Sequence, residues 1–352
     1  MNWTQQLGLK WPILQAPMAG AQGVAMAAAV SGAGGLGAVP SALLSSEALG
    51  EALSEFRRLT RRLAPHLNNA PVNVNFFTHV NPPEDSAAQT RWRKALAPYY
   101  AELDVEPPTT AGAGRNPFDA SSCEVLERHR PEVVSFHFGL PEASLLERVK
   151  AWGAVVLSSA TTVEEAVWLE AHGADVIIAQ GLEAGGHRGM FLTQDITTQV
   201  GTLALLPQVV DAVSVPVIAA GGICDPRAVA AALALGASAV QCGTAFLCCH
   251  ESMISDLHRD KLTSEQARHT ALTNLHTGRP SRGIMNRLMR ELGPMSALPP
   301  AFPQAGGALA GLRSAAEAKG STDFTPLWAG QDTRGCRSVP AAEQLRWLAE
   351  AL

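Results

Sequence analysis

His187 stands where a proton can be moved. It sits in Gln180-Gly181-Leu182-Glu183-Ala184-Gly185-Gly186-His187-Arg188-Gly189, directly after the apolar run Ile177-Ile178-Ala179. Imidazole is the one side chain of that loop that exchanges a proton near neutral pH. The glycines let backbone approach a planar ligand closely. A buried strand that feeds a Gly-rich loop with an ionisable tip is how α/β barrels present catalytic groups. The same loop also reads as an ordinary βα turn with a solvated histidine, and the rest of the chain has to choose.

Polar side chains recur where such a barrel would carry its site. Asn75 lies near the end of Val72-Asn73-Val74-Asn75-Phe76-Phe77, His137 in Val133-Val134-Ser135-Phe136-His137-Phe138, and Gln180 closes the run from Asp175. Unpaired amides at strand ends are costly. A flavin ring, with its carbonyls and N–H groups, would satisfy them, and so would neighbouring backbone. His137 reads either as a group that orients His187 or a ligand, or as a satisfied core histidine. Arg188 reads as a structural or rim charge that could also attract an anionic substrate. Two Gly-containing turns, Ala219-Ala220-Gly221-Gly222-Ile223 and Gln241-Cys242-Gly243-Thr244, suit a phosphate held by backbone N–H groups and the Thr244 hydroxyl. No histidines and carboxylates cluster at metal-ligand spacing, so no metal is expected.

The elements that must position these residues alternate strand and helix. Strands are expected at 12–16, 36–39, 72–77, 133–138, 154–158, 175–180, 217–220 and 238–241, with helices between them. Thr162 with Glu165 reads as a capping box, and Asp225-Pro226 as an N-cap with proline at N1. Eight such units by residue 245 predict a (β/α)₈ TIM barrel. An open doubly wound sheet is the alternative, but no G-x-G-x-x-G follows the first strand. The expected division is a barrel over 1–250 with an extended insert at about 79–116, a smaller, mainly helical second domain over 251–325, and a segment at 326–352 that returns to the barrel. In the second part helices are expected at 251–259, 263–274 and 284–292, and Ala305-Gly306-Gly307 reads as a turn.

Composition narrows the function classes. The chain has 352 residues, 47% hydrophobic and 17% charged, which suits an enzyme with a sizeable core. A net charge of −5 without a basic run gives nucleic acid no footprint. No apolar stretch has membrane-spanning character, and the N-terminus carries no secretory pattern. Six cysteines without a CxxC pair read as reduced thiols, so a cytoplasmic protein is expected. A homodimer is compatible with the sequence, which does not fix the oligomeric state.

Taken in order, the motifs resemble the nitronate monooxygenase family, formerly called 2-nitropropane dioxygenases, in its bacterial class I branch. They are PILQAPMAG at 12–20, GGLG at 34–37, NVNF at 73–76, SFHFG at 135–139, QGLEAGGHRG at 180–189, IAAGGI at 218–223, QCGTAFL at 241–247, TGRPSRGIMNRLMRE at 277–291 and LWAGQ at 327–331. The resemblance implies one non-covalent FMN in a TIM barrel covered by a second domain. It places FMN contacts on Asn75, Gln180, Gly185, Gly222, Gln241, Cys242, Gly243 and Thr244, with Ala19 and Gly20 near the ring and Gly330 and Gln331 lining the site. It places the catalytic histidine at His187. The implied reaction oxidises alkyl nitronates such as propionate 3-nitronate with O₂, through a flavosemiquinone, to a carbonyl compound plus nitrite or nitrate, without NAD(P)H. His187 would act as base on a neutral nitroalkane or hold an anionic nitronate. Cys224-Asp225-Pro226 after the glycine pair, the long insert, and tyrosines only at Tyr99 and Tyr100 depart from the pattern. The rivals are an NAD(P)H-dependent FMN reductase acting on enoyl thioesters or quinones, a flavin-binding protein without turnover, and a flavin-free sugar-phosphate isomerase.

Overall fold

The computed structural model describes residues 3–67, 69–108 and 114–352. Its centre is eight parallel strands: β1 (Ile13–Gln15), β2 (Gly37–Pro40), β3 (Val72–Phe77), β4 (Val133–His137), β5 (Val155–Ala160), β6 (Val176–Gln180), β7 (Val217–Ala220) and β8 (Ala239–Cys242). Neighbours pair in chain order from β2 to β8, and β8 pairs with β1. Leu14 bridges to Leu36 just ahead of β2, and the expected (β/α)₈ barrel closes.

Alternation along the strands separates two apolar layers. Leu14, Leu36, Val133, Leu157, Ile178 and Ile218 point inward and fill the barrel. Their neighbours Ile13, Ile177, Val217 and Val240 face the surrounding helices. The short helix Trp3–Gln6 closes the N-terminal end, where Trp3 Nε1 donates to Ser238 Oγ at 3.0 Å. Toward the C-terminal ends the same inward positions become polar, at Asn75, Ser135, His137, Gln180 and Gln241. Register sets them side by side: Asn75 lies opposite Ser135, Gln180 opposite Ala220, and Ala220 opposite Gln241.

The helices begin where the sequence supplies caps. Asp225 Oδ1 accepts from Ala228 N at 2.9 Å and opens helix Pro226–Ala234. The expected capping box is only half made. Thr162 Oγ1 accepts from Glu165 N, but the buried Glu165 carboxylate turns to Thr161 N–H and to the amides of Phe191 and Leu192. It thereby ties the chain beyond His187 to the barrel.

Past β8 the structure departs from the expected helices. The region read as helix 251–259 is helix Asp256–Thr263. In place of a helix over 263–274, a 3₁₀ turn Glu265–Arg268 leads into strand Thr270–Thr273. Ser281–Ile284 is also a strand, so the expected helix 284–292 starts only at Arg287. The two strands pair with each other, and the second pairs with Gly186–His187. Apolar spacing in so short a stretch does not separate helix from strand; the waiting partner at 186–187 decides it. Helix Gly306–Ala318 starts at glycines that read as a turn.

The insert is not a free loop. Its helix Ser86–Leu103 buries Trp92, Leu96 and Tyr99 against Leu309, Leu312 and Phe324. Trp92 Nε1 and Tyr100 OH donate to the carbonyls of Ala305 and Ala308. The part of the insert at 109–113 lies outside the described residues.

Candidate active site

His187 is fixed by its backbone before its ring is considered. Gly186–His187 forms the third strand of the small antiparallel sheet, with Ser281 opposite His187. The His187 carbonyl accepts from Gln180 Nε2 at 3.0 Å and faces His137 Nε2 at 3.2 Å. Gln180 Oε1 accepts from Gly189 N at 2.8 Å. Both ends of the Gln180 amide are therefore spent on the histidine loop, which is the backbone-satisfied alternative and not a free ligand group. His137 is oriented through Nδ1 by Ser159 Oγ at 3.1 Å, and it touches His187 through the backbone, not ring to ring.

Arg188 is no rim charge. It is fully buried, donating to the carbonyls of Gln180 and Gly181 at 2.7 Å and to Gln199 Oε1 at 2.8 Å. Burial pulls its pKa down to about 9. It stitches the two ends of the loop and offers nothing to a substrate.

The His187 ring is half-buried and lies among Phe77, Phe138, Phe302 and Trp328, with centroids 5.4–6.1 Å away. Its Nε2 faces Thr277 Oγ1 at 3.0 Å. Thr277 donates in turn to the Arg279 carbonyl, so Nε2 carries the ring proton and Nδ1 is left as acceptor. Burial, with the positive charges of Arg115 and Arg279 and the rings of His137 and His79, holds the pKa well below the ordinary histidine range. The resting ring is neutral.

Phe138 carries the strain of the site. It has φ +76, a conformation costly for a bulky side chain, and Gly139 follows at φ +99. The turn swings its ring over the mouth, where the Arg279 guanidinium lies 3.8 Å from the centroid. None of Thr277, Phe77, Phe138, Phe302, Trp328, Arg115, Arg279 or His79 stood out from the sequence as a site residue. Four of them lay inside motif strings without a role: Phe138 in SFHFG, Thr277 and Arg279 in TGRPSRG, and Trp328 in LWAGQ.

The glycine turns divide into two uses. Gly221 and Gly222 hold φ +117 and +69, and with Gln331 and Thr202 they line an open groove of about 510 Å³. Gly243 lies against Ala16 and Met18, and Thr244 Oγ1 accepts from Gly330 N at 2.9 Å. Gly185 serves packing: a Cβ there would come within 2.5 Å of the Ala329–Gly330 backbone. Gln331 N donates to Glu183 O at 3.0 Å, which holds the 329–331 segment over the loop. Ala19 packs beside Phe77, Phe138 and Phe302, and Gly20, at φ +82, makes the turn after it. The Cys242 side chain is buried on the helix-facing side of β8, where burial pushes the thiol pKa up, so only its backbone is turned toward the Gly243–Thr244 turn. Gln241, one residue earlier, points inward, and its Oε1 is buried without a partner among the described residues.

Comparison with known proteins decides the family. The nitronate monooxygenase family model matches residues 2–348. The chain belongs to the nitronate monooxygenase family. It is 43% identical to a nitronate monooxygenase of Pseudomonas aeruginosa, over all of this chain and 99% of that one. Identity to a nitronate monooxygenase of Paraburkholderia phytofirmans is 40%, over 98% and 93%. A nitroalkane oxidase from Streptomyces ansochromogenes superimposes with TM-score 0.88 and 38% identity, covering 99% of this chain and 97% of that one. FabK from Thermotoga maritima follows at TM-score 0.71 and 27% identity, over 100% and 96%.

As a member of the nitronate monooxygenase family the protein is an oxidoreductase. No helix among the described residues is long and apolar enough to cross a membrane. Within this site Thr277 is a positioning residue. Thr277→Val should lower kcat/KM about tenfold, because it leaves His187 Nε2 without its partner. Thr277→Ser should restore the rate, and failure of that rescue would show that methyl packing, not the hydroxyl, matters.

Proposed function

We propose that this enzyme oxidises alkyl nitronates and their parent nitroalkanes with O₂, using a bound FMN, and that neutral His187 is the base that takes the α-proton of a nitroalkane. The residues present fit the cofactor. The orphaned Gln241 Oε1 at the polar end of the barrel is a buried acceptor that calls for a donor from a ligand, and the flavin ring system carries one. Gly221, Gly222 and Gly243, with Thr244, would hold the phosphate through backbone N–H groups and a hydroxyl. Asn75, whose Nδ2 donates to Ser135 Oγ at 3.0 Å, would present its amide oxygen to the ring. When bound, the flavin supplies the redox chemistry, taking electrons from substrate and passing them to O₂.

The chain's own groups do the rest. The depressed pKa of His187 favours the neutral base over a cationic anion-holder. Thr277 on Nε2 fixes the tautomer and aims Nδ1 into the cage. Phe77, Phe138, Phe302 and Trp328 exclude water, which strengthens electrostatic interactions inside. The observation that carries the reading is this one ionisable, aromatic-caged imidazole at the barrel mouth of a family member.

The rival reading, an NAD(P)H-dependent reductase on the same barrel, makes NADH the proper control. Oxygen uptake by the purified yellow protein should follow addition of propionate 3-nitronate and should be absent with NADH alone. Uptake or flavin bleaching with NADH and none with nitronate would move the protein to the reductases.

A further inference from the structure

The mouth around His187 carries two guanidinium groups and, among the described residues, no acid to pair with them. Among those residues Arg279 Nε and Arg115 Nε are both buried without a hydrogen-bond partner, and neither arginine forms an ion pair. Arg279 makes one link, from Nη2 to the Met190 carbonyl, and otherwise lies flat on the Phe138 ring. The carboxylate whose charge reaches it, Glu165, is already committed to Thr161, Phe191 and Leu192. Arg115 enters from the insert, next to Gly114, which packs on Pro303 beside the caging Phe302. His79 lies beside them, with its ring 4.8 Å from Phe302 and 6.3 Å from Phe138.

Buried cations are normally paired, because desolvation without an anion is expensive. Here burial lowers both arginines, Arg279 to about 10, and guanidinium as a group keeps its charge at neutral pH. A fixed pair of positive forks beside a base is suited to a carboxylate, which guanidinium grips through two parallel N–H bonds. We propose that Arg115 and Arg279 form a subsite for a carboxylate at the far end of the substrate, so that a nitronate bearing this second anionic group is selected over a plain alkyl nitronate. The inference rests on the nitronate reading given above and deepens it. It also assigns the insert a role: Arg115 brings specificity from outside the barrel. Once a carboxylate neutralises the two arginines, the charges that depress His187 are offset and the imidazole becomes a stronger base in the complex.

The test compares propionate 3-nitronate with propyl-1-nitronate, which lacks the carboxylate, by oxygen uptake on the flavin-loaded enzyme. Wild type should prefer the carboxylated substrate in kcat/KM. Arg115→Gln should reduce that preference on the order of 10- to 100-fold, mainly through KM. Arg279→Lys keeps charge but loses the planar fork, and should reduce it by a smaller factor. Succinate, a non-reacting dianion, is titrated calorimetrically into the same proteins and should bind wild type and not Arg115→Gln. Equal loss on both nitronates together with unchanged succinate binding would overturn the subsite. Succinate binding that depends on Arg115 in an enzyme that consumes neither nitronate would support the subsite and sink the nitronate reading instead.

Discussion

His187→Asn is expected to keep its flavin and lose the neutral nitroalkane reaction by a factor on the order of 10²–10⁴, the usual contribution of a positioned base. Flavin binding should survive because the loop is held by the residue 187 carbonyl, which accepts from Gln180 and faces His137, and by Arg188 beneath it. None of those contacts uses the imidazole. A preformed nitronate has already lost its proton, so its turnover should fall much less. The measurement is oxygen uptake with nitroethane and with ethyl nitronate, beside the flavin absorbance of the purified variant. Equal losses on the two substrates would remove His187 from proton transfer and leave it a binding role.

The second large effect is acid lability that begins above the carboxylate range. His276 and His258 are buried, and burial lowers them to about 3 and about 4; His137 is also lowered to about 3. The unfolded chain protonates these rings near pH 6.5, and the folded chain does not. Below that pH the unfolded state binds more protons, so stability falls as pH falls, from about 6.5 until the folded values are reached. His276 and His258 alone should remove about 2–3 kcal/mol per pH unit across that window, at about 1.4 kcal/mol for each group. The two rings together remove at most about 8 kcal/mol, so a domain near the lower end of the usual margin of about 5–15 kcal/mol would unfold between about pH 3 and 5. Urea midpoints at pH 7, 6, 5 and 4 measure this. His276→Gln should flatten the slope, and an unchanged midpoint from pH 7 to pH 5 would show that these rings titrate in the folded state.

The eight barrel strands were legible because each buries both faces and leaves a continuous apolar run, bounded by turn residues such as Gly221-Gly222. Helix starts at Asp225 and Thr162 were legible through their caps. Past residue 251 the same reading failed at 263–274, where strand Thr270–Thr273 forms only because it can pair with its neighbour and, through it, with the histidine loop. Glu165 shows the failure on a smaller scale. Its spacing from Thr162 fits a local box, but its carboxylate meets better donors at Phe191 and Leu192.

By itself the sequence determined the barrel, the family resemblance and the position of His187 in its glycine-rich loop, since these depend on local periodicity and on motifs read within one segment. Tertiary structure alone decided what surrounds that imidazole. Thr277, Phe302 and Trp328 arrive from about 90 to 140 residues away, and Arg115 from the insert. It also decided that Arg188 is buried structure, that Gln180 is spent on backbone and that Cys242 faces away. Side-chain direction on a strand and the partners of a buried polar group follow from which segments meet in space, and no spacing within one segment records that.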